Sequence, residues 1–208
     1  MVSPMLQQSK STRESEPGSQ ATGQDHCQLP IANCQFDSAP IINWKLEIGN
    51  PLGAAIARAL ESVADPEIPV INVVEMGIIS AIRMKGDGVA IDMTPTFIGC
   101  PALDVIRENI RAAVSAVALA PVTVNVVLDP PWTSQRINET GREKLRAFGL
   151  APPGERCQGD SVETLERTPC PYCNSTNTDL ESLFGPTLCR SIHYCRSCQQ
   201  SFEHFKDI

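Results

Sequence analysis

Near its C-terminus the sequence carries Cys170-Pro171-Tyr172-Cys173 and Cys195-Arg196-Ser197-Cys198, two Cys-x-x-Cys pairs with 21 residues between them. Each pair places two thiols on one tight turn, and two such turns facing each other present four thiolates to a tetrahedral cation. A segment of this length cannot bury enough apolar area to fold by itself. A bound metal supplies the missing folding free energy. Zn2+ suits four thiolates best, although thiolates also hold iron and iron–sulfur clusters. Gly185-Pro186 lies within the intervening stretch, where a ribbon hairpin must turn. The spacing therefore predicts a four-cysteine zinc ribbon over residues 169–208, with Cys170, Cys173, Cys195 and Cys198 as the ligands.

Charge and composition exclude several alternatives. The chain has 208 residues, enough for one or two domains, and a formal net charge of −7. A nucleic-acid binder carries a basic patch, and none is evident, even in the ribbon. There, Arg190, Arg196 and Lys206 stand against Asp179, Glu181, Glu203 and Asp207. Residues 1–30 lack the continuous apolar core of a signal peptide, and no apolar run reaches the roughly 18 residues of a membrane span. The expected compartment is a reducing cytoplasm, which agrees with nine cysteines, an odd number, of which four have metal-ligand spacing.

Residues 1–45, rich in Ser, Gln, Thr, Pro and Gly, are expected to be disordered, and Cys27 and Cys34 have no recognisable metal spacing. Asn50-Pro51 reads as a helix start, followed by Leu52, Ile56, Leu60 and Val63 at helical spacing. Asp65-Pro66-Glu67-Ile68-Pro69 ends that helix, since each proline forces the residue before it into an extended form. Residues 78–85 and 89–94 read as two strands of a hairpin closed by Gly86-Asp87-Gly88. A long helix follows Pro101, with Leu103, Ile106, Ile110, Val114 and Val117 facing a core. A third strand covers 122–128, Asp129-Pro130-Pro131-Trp132 turns a corner with Trp132 capping the core, and a last helix near 139–148 stops at Gly149. Residues 151–168 read as a linker, with Cys157 alone in it. The long helix can serve as a crossover, so the predicted domain at 46–150 is α+β, a three-stranded mixed sheet with helices on one face.

Within that domain the chemistry concentrates at Thr94-Pro95-Thr96-Phe97-Ile98-Gly99-Cys100-Pro101. Placed at the start of the long helix, Cys100 would face free backbone N–H groups and the positive end of the helix dipole, which predicts a lowered pKa. Gly99 permits close approach of a partner, and Thr94 and Thr96 can line the same mouth. The alternative is a small cysteine that merely packs. Asp65 and Glu67 read as turn-forming or capping residues. All three histidines, His26, His193 and His204, lie outside this domain, so acid–base catalysis by histidine has no seat there. No P-loop, dinucleotide fingerprint or serine-hydrolase elbow occurs.

The segments Asp65-Pro66-Glu67-Ile68-Pro69, Val74-Glu75-Met76-Gly77-Ile78-Ile79, Pro95 to Pro101, Asp129-Pro130-Pro131-Trp132 and Gly141-Arg142-Glu143-Lys144-Leu145 resemble, in this order, the iron–sulfur assembly domain family that includes SufT-like proteins. Joined to the ribbon, with Arg142 to Pro153 and Cys189 to Cys198 also fitting, the whole resembles the family of D-type accessory subunits of the phenylacetyl-CoA epoxidase system. The resemblance covers roughly residues 48–153 and the ribbon, and leaves residues 1–45 unexplained. It implies a non-enzymatic assembly or maturation factor for a metal or iron–sulfur centre of the multicomponent epoxidase. The epoxidase reductase and oxygenase subunits would be its partners. By the same resemblance Cys100 is the reactive thiol, holding iron or a cluster transiently, and Asp65 and Glu67 belong to the same site. Cys189 matches a family cysteine, to pack under the ribbon or act as an alternative ligand. A permanent, non-catalytic subunit of the oxygenase is the competing reading. A homodimer sharing two Cys100 thiolates stays open, because one exposed cysteine is a poor cage.

Overall fold

A computed structural model describes residues 51–85, 87–154 and 168–207. The expectations for residues 1–45, for Asn50 as a helix cap, for Gly86 and for Cys157 lie outside the described residues. Helix α1 spans Pro51–Glu61 and buries Gly53, Ile56 and Leu60. Asp65 stops the chain beyond it: its Oδ1 accepts the N–H groups of Glu67 and Ile68 at 2.7 and 3.0 Å. Asn72 organises the next turn in the same way, its Oδ1 accepting from Val74 and Glu75 at 3.0 and 2.8 Å.

Strands β1 (Ile79–Lys85) and β2 (Gly88–Met93) pair antiparallel, and β3 (Val122–Val126) lies parallel to β2. The sheet is thus mixed, in the order β1-β2-β3. Helix α2 (Leu103–Ala118) is the crossover between β2 and β3, burying Ile106, Ile110, Val114 and Ala118 at four-residue spacing. The pairing slips by one residue between Ile79 and Ala81, so Ser80 sits at a bulge. Helix α3 (Glu139–Phe148) is capped by the Asn138 side chain, which accepts from Gly141 N–H at 2.8 Å, and closes on Gly149 at φ 92°.

Trp132 is 4% exposed and its Nε1 donates to the Met76 carbonyl at 3.0 Å, so it caps the core as its double-proline corner suggests. Gly77 in the same turn has φ +68°, and a Cβ there would lie 2.3 Å from the Arg136 carbonyl oxygen. Only glycine satisfies both conditions.

The ribbon consists of β5 (Thr178–Ser182), β6 (Arg190–Cys195) and β7 (Gln200–Phe205), antiparallel in sequence, with Gly185-Pro186 in the β5–β6 connection. A fourth strand, β4 (Leu150–Ala151), joins this sheet parallel to β7. Residues 150–151 carry no strand signal in the sequence: two residues have no periodicity to read, and the pairing exists only because β7 returns beside them. Phe205 of β7 belongs to the main core and meets Trp132 with ring centroids 5.8 Å apart. All described residues fall in one compact unit. Among them, no helix is long and apolar enough to cross a membrane.

Candidate functional site

The four ribbon cysteines sit on two matching turns. Asn174 N–H donates to the Cys170 carbonyl at 2.9 Å and Gln199 N–H to the Cys195 carbonyl at 2.8 Å, with both donor residues at φ 60°. The sulfurs of Cys170 and Cys198 are 3.6 Å apart, as are those of Cys173 and Cys195, and all four lie within 4.8 Å of one another. Ligands about 2.3 Å from a tetrahedral centre have edges of about 3.8 Å, so the quartet matches a four-thiolate metal site. Four thiolates at this range cannot all ionise without a cation among them. The Cys198 N–H and neighbouring groups bring the Cys195 thiol down to about 7, while desolvation and the other three cysteines push Cys198 up to about 12. A divalent ion removes that conflict. The ribbon also needs it: its own buried apolar cluster is Ala151, Cys170, Cys195 and Phe202. Burying one phenylalanine contributes about 3 kcal/mol at most, against an ordering cost of about 1.5 kcal/mol per residue.

The second constellation surrounds Cys100. Its N–H donates to the Phe97 carbonyl at 3.2 Å, and its carbonyl accepts from Leu103 at 3.1 Å. Helix α2 begins at Leu103 with Ala102 at the cap position, so Cys100 lies two residues before the cap rather than on it. This corrects the expected thiolate. Burial pushes the Cys100 thiol up, the Ala102 and Leu103 backbone groups pull it down, and the charges of Asp65 and Glu67 raise it again. Desolvation and two carboxylates outweigh the helix end, and the net shift is upward. Gly99 has φ +88° and open space where a Cβ would stand, so it serves the turn and leaves the thiol's approach clear.

Asp65 and Glu67 share this neighbourhood with Cys100. Asp65 is 8% exposed, and burial raises its pKa in spite of the two N–H groups it accepts. Glu67 is exposed and its Oε2 lies 3.8 Å from Nη2 of Arg190. Cys189 of the ribbon also comes here: its thiol is raised by burial, and the charges of Cys100 and Asp65 raise it further. Sequence alone marks Cys189 as a cysteine outside the pairs; it gives no sign that the residue lies near Cys100, 89 positions earlier. Arg190, which escaped notice as a site residue, ties the two parts together.

Thr94 and Thr96 lie elsewhere. They line a groove of about 250 Å3 with Pro95, Phe97, Leu128 and Trp132. The Thr94 hydroxyl bonds the bulged Ser80 Oγ, which also accepts from Arg136 Nη2 at 3.1 Å. Thr94 therefore anchors the loop that carries Cys100, whereas Thr96 remains partly exposed. The two buried histidines, His193 and His204, are edge-to-face at 5.5 Å between centroids on β6 and β7, neutral parts of the ribbon.

Residues 53–126 match the iron-sulfur cluster assembly protein family, and residues 155–206 match the PaaD zinc beta ribbon domain. Over 162 residues the chain is 37% identical to the D-type subunit named "Putative 1,2-phenylacetyl-CoA epoxidase" in Escherichia coli (strain K12), covering 77% of this chain and 96% of that protein. Over 92 residues it is 38% identical to an "Fe-S protein maturation auxiliary factor" of Porphyromonas gingivalis (strain ATCC BAA-308 / W83), covering 43% of this chain and 87% of the relative. A further 92-residue match, 35% identical, is to the "Fe-S protein maturation auxiliary factor YitW" of Bacillus subtilis (strain 168), covering 43% and 89%.

Proposed function

The chain belongs to the family of phenylacetyl-CoA epoxidase D-type subunits, an iron–sulfur assembly domain joined to a PaaD zinc ribbon, and from this premise we propose that it matures the iron–sulfur or iron centre of that epoxidase. A maturation or accessory role follows from the assembly domain and from relatives named as maturation factors. The epoxidase as client, with its reductase and oxygenase subunits as partners, rests on the name of the Escherichia coli relative. The observation that carries the reading is a half-buried, unbridged thiol, Cys100, on an open loop within an assembly domain.

In this reading Cys100 ligates iron or a cluster for the time between supply and client. The protein catalyses no reaction of its own. Asp65 and Glu67 keep the thiol protonated at rest, so a cation exchanges with a proton on arrival. Cys170, Cys173, Cys195 and Cys198 hold Zn2+, which supplies folding free energy and no chemistry. A permanent structural role in the oxygenase draws support from the exposed apolar side chains of the β5–β6 loop, Leu183, Phe184 and Leu188.

The test is zinc, iron and acid-labile sulfide in anaerobically purified protein, beside Cys100→Ser. Iron and sulfide lost in the variant with zinc retained are expected. Iron that persists without Cys100 would place iron handling in the ribbon. Stoichiometric co-purification with the oxygenase, undisturbed by Cys100→Ser, would favour the permanent structural role.

A further inference from the structure

One thiolate holds iron poorly, and the fold brings a second thiol to the first. Cys100 lies on the loop before α2 and Cys189 on the loop before β6; both are half-buried and both pack on the main core. The contact between Glu67 and Arg190, at 3.8 Å, joins the Asp65 turn to the residue next to Cys189. Cys189 is itself held: its carbonyl accepts Lys206 N–H at 2.9 Å, and its sulfur lies 3.1 Å from Thr187 Oγ1. That hydroxyl in turn accepts from Arg190 Nε at 2.8 Å.

The electrostatics of this junction favour a cation. Asp65, Glu67 and Glu203 contribute three carboxylates, and the guanidinium among them, Arg190, is already paired with Glu203 at 2.7 Å. Each thiol responds to the Asp65 charge, and Cys189 responds to Cys100 as well. Both thiols are shifted upward, so without metal they stay neutral and do not repel each other.

We propose that Cys189 is the second thiolate of the exchange site, so that Cys100 and Cys189 together ligate ferrous iron, free or at the corner of a cluster, within a single chain. The inference rests on the reading of Cys100 as a transient iron ligand. Binding of one divalent ion forms two Fe–S bonds and releases two thiol protons to solvent, with no change of oxidation state. Among the described residues, the ribbon quartet alone gathers three or more candidate ligand atoms within 4.8 Å. The Cys100–Cys189 site is therefore open, with two protein thiolates and positions left for sulfide or a client's ligands. An open site releases its ion by ligand exchange, whereas a closed four-thiolate cage retains it.

The experiment titrates zinc-loaded, reduced, full-length protein with Co2+ and with Fe2+ under anaerobic conditions. It compares wild type, Cys100→Ser, Cys189→Ser and the double variant, with one retained zinc per chain as the folding control. A thiol crosslinker of short span, dibromobimane, followed by peptide mapping, reports independently on whether the two sulfurs meet. Wild type is expected to bind one Co2+ beyond the zinc with thiolate charge-transfer absorption. Each single variant should lose about half of that absorption and at least tenfold in affinity, and the Cys100–Cys189 crosslink should form unless Co2+ is present. Acid-labile sulfide separates a cluster from a lone ion. Loss in Cys100→Ser with wild-type binding in Cys189→Ser would overturn the role of Cys189 and leave Cys100 as the ligand. Metal bound only by a dimer, with Cys189→Ser unaffected, would do the same. Undiminished binding in the double variant would remove both.

Discussion

At Gly77, two demands meet in one atom that is not there. The residue has φ +68° and faces the Arg136 carbonyl so closely that a methyl group would sit 2.3 Å from it. Gly77→Ala should therefore cost about 3 kcal/mol, read as a lower urea midpoint at unchanged slope. A loss under about 1 kcal/mol would mean that the Met76–Trp132 corner yields easily. His204 poses the opposite problem, a polar ring made to stay neutral. Burial, helped by His193 and Lys206, lowers its pKa to about 3. The unfolded chain takes up a proton near pH 6.5 and the folded chain does not, so the unfolded state binds more protons between these values. His204 thus contributes nothing to pH dependence above 6.5, and stability falls by up to about 1.4 kcal/mol per pH unit as pH drops from 6.5 toward 3. Denaturant titrations at pH 7, 6 and 5, with zinc measured at each, should show a shallower slope for His204→Leu than for wild type. Equal slopes would rule His204 out as the source.

Among the elements, α3 is the one whose ends are best defined in the chain itself. Asn138 caps it through Gly141 N–H, and Asn138→Ala should cost about 1 kcal/mol, measurable by thermal melts; no change would mean that packing alone sets its start. Such elements are legible in sequence because their signals are local. The four-residue spacing of Ile106, Ile110 and Val114, and Gly149 as a stop, give α2 and α3 to within a residue or two. The paired cysteines give the ribbon for the same reason: the metal's geometry imposes the spacing. What sequence does not convey is depth. Cys100 stands beside a helix start, and a local argument lowers its pKa; its burial and the Asp65 charge come from elsewhere and reverse the sign. Strand β4 is hidden likewise, because Leu150 and Ala151 become a strand only through a partner about fifty residues later. The approach of Cys189 to Cys100 belongs to this class, a relation between elements that neither element encodes.

On the scale of the whole molecule, the ribbon and the assembly domain are joined by more than a linker. Strand β7 lies beside β4, Phe205 enters the main core against Trp132, and Arg190 reaches Glu67. Removing zinc should therefore be felt at Trp132. In a Trp44→Phe background, where Trp132 is the remaining tryptophan of the two in the chain, chelation is expected to shift its emission to the red and restore it on zinc addition. Emission that holds steady after zinc is demonstrably gone would show that β7 stays docked without its metal. The β4–β7 pairing also bears on supply. A chain synthesised when zinc is scarce would have no anchored β7, hence no Lys206 to fix Cys189, and would pass on iron poorly even with iron abundant. Shortage of one nutrient metal would thereby slow the use of another, with no sensor or regulator between them.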